Sequence, residues 1–365
     1  MKPSSNKNTS VFPHGHIDRP NGKRVKLGDV CKVCRGVRVV RSELSHGTYL
    51  VYQNSLMPLG RYDKSNVPSG TTFIIAAGSA GEIGYRDEPF WAADDCYYLL
   101  PQIGVVSKYV YYALVASRYH ISGLVRRGSV PRLARDIVEC LEIQLPDESM
   151  QLGIVDTISA VDNLIIAQQS LVAKYEAIKK ATVNLLLKPK NGWRRVKIED
   201  IFDIKVGGDL DIAYYSKTKT SFYRYEVVSN SLSNRGLYGY TSLPKFPADS
   251  ITITGRGNVG HAEYRDDQFD AIVRIVVLTP IGASVCAKFV TELINITSPF
   301  QIESTGVPQL TAPQIAAAII SLPPIDEQKR IVATLDTIDN SIKDLKAQLE
   351  KSQAIKQGMM AYFFG

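Results

Sequence analysis

From Ile331 to Leu349 the apolar residues Ile331, Leu335, Ile338, Ile342, Leu345 and Leu349 recur at alternating intervals of four and three. That is the spacing of a helix that lays one stripe along a second helix. The same phase occurs earlier at Ile154, Ile158, Val161, Ile165 and Val172, with Gln168 as a polar interruption. Pro323 and Pro324 precede the later segment, and Pro189, Asn191 and Gly192 follow the earlier one, so both are punctuated by residues that start or stop helices. The pattern predicts two helices of about 40 residues, each roughly 60 Å long at 1.5 Å per residue. Outside them the pattern changes. TTFIIAA, DDCYYLLP, SITITG and DAIVRIVVLTP are rich in Ile, Val, Tyr and Thr and bounded by Gly, Pro or Asp, as strands are. The runs IVECLEIQLP and IAAAIISLPP, which lead into the long helices, are read as strands too. Strands that do not alternate regularly with long helices predict an α+β fold.

The two helical segments are copies of one another. Aligning Ile154 with Ile331, an offset of 177 residues, also superposes Leu145/Leu322, Pro146/Pro323, Gln151/Gln328, Asp162/Asp339, Asn163/Asn340 and Lys179/Lys356. A repeat of such length marks two related units. KRVKLGDV from Lys23 matches RRVKIEDI from Arg194. SAGEIG (Ser79 to Gly84) aligns with GRGNVG (Gly255 to Gly260), and Ser107 with Ser284, each serine expected to cap a helix. The expected organisation is a flexible tail over 1–22, a globular domain over 23–145, a long helix over 146–188, a second domain over 193–322 and a second helix over 323–361. The natural arrangement is antiparallel pairing of the helices, with Val161, Ile165, Val172 and Ile178 facing Ile338, Ile342, Leu345 and Leu349. The alternative is that each helix packs on its own domain.

With 365 residues the chain suits two globular units. No uninterrupted apolar run reaches the 18 or so residues of a membrane span, and the N-terminus lacks the apolar core of a secretory signal. Five cysteines at irregular positions do not resemble a disulfide framework, so a reducing cytoplasm is expected. A net charge of +7 favours a polyanionic partner.

Candidate chemistry is sparse. GRGNVG satisfies the dinucleotide pattern GxGxxG, but HAEYRDDQFDAIVRIVVL follows it, where a nucleotide site needs a helix. A glycine turn between strands, whose backbone approaches another molecule, is the better reading. Cys31 and Cys34 form a CxxC without a second ligand pair, so no metal is expected. No nucleophile arrangement or cluster of carboxylates stands out, and neither catalytic residues nor a cofactor are expected. Basic and aromatic residues do cluster. RYDKSN supplies Arg61, Tyr62 and Lys64; YYSKTKTSFYRY supplies Tyr214, Lys217 and Lys219. With Arg235, Arg256 and Asn258 these are candidates for reading base edges, since arginine suits guanine and Asn or Gln suits adenine. RRGSVPRLAR contributes Arg126, Arg127, Ser129 and Arg132, joined by Ser304, Thr305 and Gln309, as candidates for phosphate contacts.

The layout of domain, helix, domain, helix, with PPIDEQKRIV at Pro323 to Val332 and VKL/VKI opening each domain, resembles the specificity subunit of type I restriction-modification systems. The first copy departs from it at Asp147 and Met150, opposite Pro324 and Glu327. The resemblance implies two target recognition domains in a pseudo-two-fold molecule, each reading one half of a split double-stranded DNA sequence. It further implies helices that space the domains and dock two modification subunits, which methylate adenine, and through them restriction subunits. A specificity subunit of a type IIB-like enzyme, a coiled-coil scaffold without DNA, and a nucleotide-dependent enzyme resting on GRGNVG are the alternatives.

Overall fold

The computed structural model describes residues 22–301 and 308–365. The tail up to residue 21 and the candidates Ser304 and Thr305 lie outside the described residues. Two compact units emerge. One runs to Gln169 and includes Ala347–Gly365; the other is Ser170–Lys346. Each unit therefore draws on part of both long helices, Glu148–Leu186 and Ile325–Phe364.

In the first unit a central antiparallel sheet has the strand order Cys31–Arg35, Cys96–Pro101, Thr71–Ile75, Ile83–Arg86. Successive side chains of a strand leave opposite faces, and here both faces are covered. Ile74 joins the cluster around Tyr109, Tyr112 and Leu114 of the helix Ser107–Ala116, while Phe73 and Ile75 join one around Tyr52 and Phe90. The second layer is a smaller sheet in which Tyr49–Tyr52 pairs antiparallel with Gly60–Tyr62 and parallel with Trp91–Ala92. A ribbon of Lys23–Lys26 against Glu142–Leu145 closes the unit beside the start of the long helix.

The second unit repeats this plan. Its central sheet is ordered Phe202–Val206, Ile275–Pro280, Ser250–Thr254, Ala262–Arg265, and its ribbon pairs Arg194–Lys197 with Ile319–Leu322. The smaller sheet gains an edge strand, Tyr215–Ser216. IVECLEIQLP and IAAAIISLPP each divide into a helical turn, Arg135–Glu139 or Ala312–Ala316, before the strand. Neither proposed serine cap is realised. Ser107 Oγ instead accepts from the Thr72 amide at 3.1 Å, and Ser284 precedes the helix Ala287–Thr297 altogether.

The amide at each helix start is met by the long helix. Gln151 Oε1 accepts from the Val106 amide at 2.8 Å, and its Nε2 donates to the carbonyls of Gly104 and Pro146 at 3.1 and 2.9 Å. Gln328 does the same in the second unit, accepting from the Cys286 amide at 2.9 Å and donating to the carbonyls of Ser284 and Pro323 at 3.3 and 2.9 Å. The repeated glutamine thus makes the same three bonds in both units.

Other coincident residues of the repeat pair reciprocally. Asp162 meets Lys356 at 2.6 Å in the first unit, and Lys179 meets Asp339 at 2.7 Å in the second. In each unit the two helical segments thus run antiparallel, and Glu176 with Lys346 at 2.7 Å continues the ladder. Ile154, Ile158, Met359 and Phe363 enter the core of the first unit, as Val183, Leu187, Ile331 and Leu335 enter that of the second. Val172 and Ile342 are buried and Val161, Ile165, Ile338, Leu345 and Leu349 half-buried on the inward stripe. Ile178 is not on it. Six residues beyond Val172 at 100° each, it points away and is 41% exposed; Tyr175 and Lys179 occupy the stripe there.

Glu148–Leu186 is long enough, and over an 18-residue window of mean hydropathy 1.3 apolar enough, to cross a membrane. Its apolar residues nevertheless fall into two helical stripes, one the inward stripe just described. The other is Ala160, Leu164, Ala167, Leu171, Ile178, Ala181 and Leu185, all exposed, interrupted by Lys174 and again spaced by fours and threes.

Candidate nucleic-acid interface

In the first unit the strands Thr71–Ile75 and Ile83–Arg86 are joined by a hairpin in which Gly78 and Gly81 take φ of 85° and 89°. These left-handed values favour glycine, and a Cβ on Gly78 would also lie 2.7 Å from the Asn54 carbonyl oxygen. The basic segment lies alongside. Arg126 and Arg132 exchange backbone hydrogen bonds of 2.8 and 3.1 Å, and Leu133 donates to the Ala76 carbonyl at 2.8 Å, so that Ala77 faces Arg132. Arg126, Arg127, Ser129 and Arg132 are exposed, and among the described residues these arginines show no ion pair.

The second unit builds the equivalent hairpin between Ser250–Thr254 and Ala262–Arg265, with Gly257 and Gly260 at φ of 73° and 84°. Matching the φ values and the strand register sets Thr71 opposite Ser250 and Arg86 opposite Arg265. Gly78 then answers to Gly257, Gly81 to Gly260 and Ala76 to Gly255. The alignment of SAGEIG with GRGNVG is therefore three residues out. It matched letters, whereas the conserved quantity between the hairpins is backbone conformation. Because the next strand begins at Ala262 and no helix follows, the segment is a glycine turn and not a dinucleotide loop.

Arg256 takes the place of Ala77 and faces Gln309, with its Nη2 donating to Gln309 Oε1 at 3.3 Å. Its Nε is buried and without a partner. An arginine thus stands at this cross-strand pair in both units, on the hairpin in the second and on the neighbouring strip in the first. Asn258 is exposed, and its carbonyl accepts from the Thr254 hydroxyl.

The other candidates divide. Lys64, Lys217 and Lys219 are exposed, with Lys219 Nζ 5.9 Å from the Tyr240 ring centre, and Tyr214 is also exposed. Arg61 lies on the edge strand Gly60–Tyr62, donating to the Thr48 carbonyl at 3.0 Å. The Tyr62 ring packs edge-on against Trp91 at 4.9 Å, so packing holds its face. Arg235 is committed internally. It donates to Glu263 Oε1 at 2.6 Å and to the Tyr264 carbonyl at 2.5 Å, with Asp266 at 3.7 Å. A guanidinium held by two carboxylates and a carbonyl is not free to read a base edge.

Several residues not singled out in the sequence complete the sites. The Asn54 carbonyl accepts from the Ser79 amide at 2.8 Å, and Glu82 Oε2 from the Leu56 amide at 3.3 Å, which sets the loop after Tyr49–Tyr52 against the first hairpin. In the second unit the Asn230 side chain accepts from the Gly255 amide at 2.9 Å and donates to the Val273 carbonyl at 3.2 Å. Asn54 and Asn230 follow corresponding strands, and their recurrence was the available signal. Arg265 is buried; desolvation pulls its guanidinium down to about 10, which leaves it charged at neutral pH. Its Nε donates to Thr252 Oγ1 at 3.0 Å and its Nη2 to the Arg235 carbonyl at 2.8 Å.

Among the described residues no group of three or more His, Cys, Asp or Glu is placed to hold a metal ion. Cys31 and Cys34 lie on the strand Cys31–Arg35, where residues three apart leave opposite faces. Burial pushes the Cys31 thiol up to about 12, while Cys140 is exposed. Iodoacetamide at pH 8 should therefore modify Cys140 of the native protein well before Cys31, because the thiolate is the reacting species. Comparable labelling of both by peptide mass spectrometry would contradict this.

The family model for the type I restriction modification DNA specificity domain matches residues 21–174 and again 190–352. A Mycoplasma pneumoniae protein named as a type I specificity subunit, S.MpnORF507P, is 24% identical over 350 residues, covering 93% of this chain and 95% of its own length. The specificity subunit of the type I restriction enzyme MpnII from the same organism is 25% identical over 168 residues, covering 46% of this chain and 50% of its own. Among solved structures, the S subunit of a type I restriction-modification system from M. genitalium matches with a TM-score of 0.72 at 16% identity, covering 98% of both chains.

Proposed function

Because this chain belongs to the type I restriction modification DNA specificity family, we propose that each unit reads one half of a bipartite duplex sequence through its glycine hairpin and adjoining loops. The observation that carries this reading is the pair of hairpins. They share backbone and register but present different chemistry, Ala77 with Arg132 in one and Arg256 with Gln309 in the other. A common frame with different side chains is what two different half-sites require. Arg126, Arg127, Ser129, Arg132 and Gln309 contact phosphates and set the register. Arg256, Asn258, Tyr214, Lys217 and Lys219 reach base edges in the second half-site, and Arg61 and Lys64 in the first.

The chain carries no catalytic step of its own on this reading. Two modification subunits methylate adenine, and restriction subunits join through them. The exposed stripe of Glu148–Leu186 supports a docking role. Leu164, Leu171, Ile178 and Leu185 are 49%, 39%, 41% and 70% exposed, a row suited to burial against an apolar helix face. At the matching positions Ile325–Phe364 carries Thr337, Ser341, Asp344 and Gln348 before Ile355, which is 43% exposed, so the longer apolar row is on the first helix, and that is the docking element. Co-expression with the modification subunit, followed by mapping of methylated adenines, should return a two-part motif. Leu171→Asp should abolish co-purification without changing the melting temperature. A retained complex would remove the docking assignment, and scattered methylation would remove the recognition assignment.

A further inference from the structure

The turn between Tyr225–Val228 and Leu237–Thr241 contains three successive residues in the left-handed region. They are Asn234 at φ 48°, Arg235 at 53° and Gly236 at 78°. Glycine accepts this conformation freely and asparagine tolerates it, but for arginine it is costly, so the surroundings must impose it. Arg265 donates to the Arg235 carbonyl, the Arg235 side chain is bound by Glu263 and the Tyr264 carbonyl, and the Ser229 amide donates to the Gly236 carbonyl at 2.8 Å. Arg265 is itself locked against Thr252 on the central sheet. Held in this way, the turn leaves Ser231, Leu232, Ser233 and Asn234 exposed. It lies at the hairpin end of the unit, since Asn230, just ahead of it, is bonded to Gly255. Among these exposed residues only Asn234 has a side chain with a donor and an acceptor side by side, and among the described residues its carboxamide forms no hydrogen bond. That pair is the complement of adenine N6 and N7 in the major groove.

We propose that Asn234 is an adenine-reading side chain of the second unit, and that Arg265 is the positioning residue that presents it. The inference rests on the reading that this unit contacts duplex DNA. Arg235, whose charge is occupied by Glu263, shapes the turn and does not touch a base. The fixed left-handed backbone removes turn freedom that would otherwise be lost on binding, so the Cα–Cβ direction of Asn234 is set before it meets the groove.

The test uses the full chain in complex with its modification subunits. It scores methylation motifs and competition by duplexes carrying single base changes. Asn234→Gly keeps the backbone and removes the reader. It should erase roughly 5- to 150-fold discrimination at one adenine of one half-site, with the other half-site and the melting temperature unchanged. Asn234→Asp presents only acceptors and should move the preference at that position towards cytosine. Arg265→Met should relax the same position, and Arg265→Lys should restore part of it. If the methionine variant fails to fold, the two Asn234 variants decide alone. Unchanged preference in Asn234→Gly, on a wild-type background that methylates a two-part sequence, overturns this inference alone. A wild-type complex without a two-part sequence overturns the underlying reading and this inference with it.

Discussion

Replacing Gln328 by leucine should lower the unfolding free energy by about 3 kcal/mol, seen as a lower urea midpoint at unchanged slope. Gln328 is buried, and its amide satisfies the Cys286 amide and the carbonyls of Ser284 and Pro323. Leucine has similar volume, so the cost lies in stranded polar groups and not in a cavity. A stranded buried donor or acceptor costs about 1–3 kcal/mol, and relaxation towards water recovers part of the sum. Gln151→Leu should behave alike, since Gln151 bonds the Val106 amide and the carbonyls of Gly104 and Pro146 in the same way. A loss below about 1 kcal/mol at both sites would mean that these bonds do not fasten the helices to their units.

Replacing Arg126, Arg127 and Arg132 together by alanine should weaken binding to every duplex alike and flatten its salt dependence. Each arginine–phosphate contact contributes about 0.9 to the slope of log affinity against log salt, so three lost contacts reduce the slope by about 2.7. At about 0.1 M salt that corresponds to an affinity loss of roughly 500-fold. The three side chains are exposed, and none has an ion pair among the described residues, so their removal should leave the fold intact. Fluorescence anisotropy across a salt series measures both quantities. An unchanged slope, or a loss confined to one sequence, would make these residues base readers and move them out of the phosphate-binding set.

Much of the scaffold was legible because it is written locally. The heptad stripes, the helix boundaries at Pro323 and Pro189, and the strands Thr71–Ile75 and Ser250–Thr254 follow from periodicity and punctuation alone. The site was less legible. Arg235 looked like a free guanidinium until Glu263 and Tyr264, about 30 residues further along, were brought against it by strand pairing. Ile178 falls on the other stripe because a heptad offset of one residue turns a side chain by 100°, and its apolar nature suits either stripe. The register between the glycine hairpins is set by their left-handed glycines, which backbone angles reveal and identical letters do not.

By itself the sequence determined that there are two copies of one α+β unit, each with a long amphipathic helix, and which family they belong to. Repeats and periodicity are one-dimensional, so no knowledge of contacts is needed to read them. The tertiary structure alone decided how the repeated residues are used. Asp162 pairs with Lys356 and Lys179 with Asp339, Gln151 and Gln328 close the helix starts, and Arg265 holds the turn that exposes Asn234. The availability of a polar side chain for a ligand depends on whether a distant partner has already satisfied it, and that partner is chosen by sheet register and helix packing.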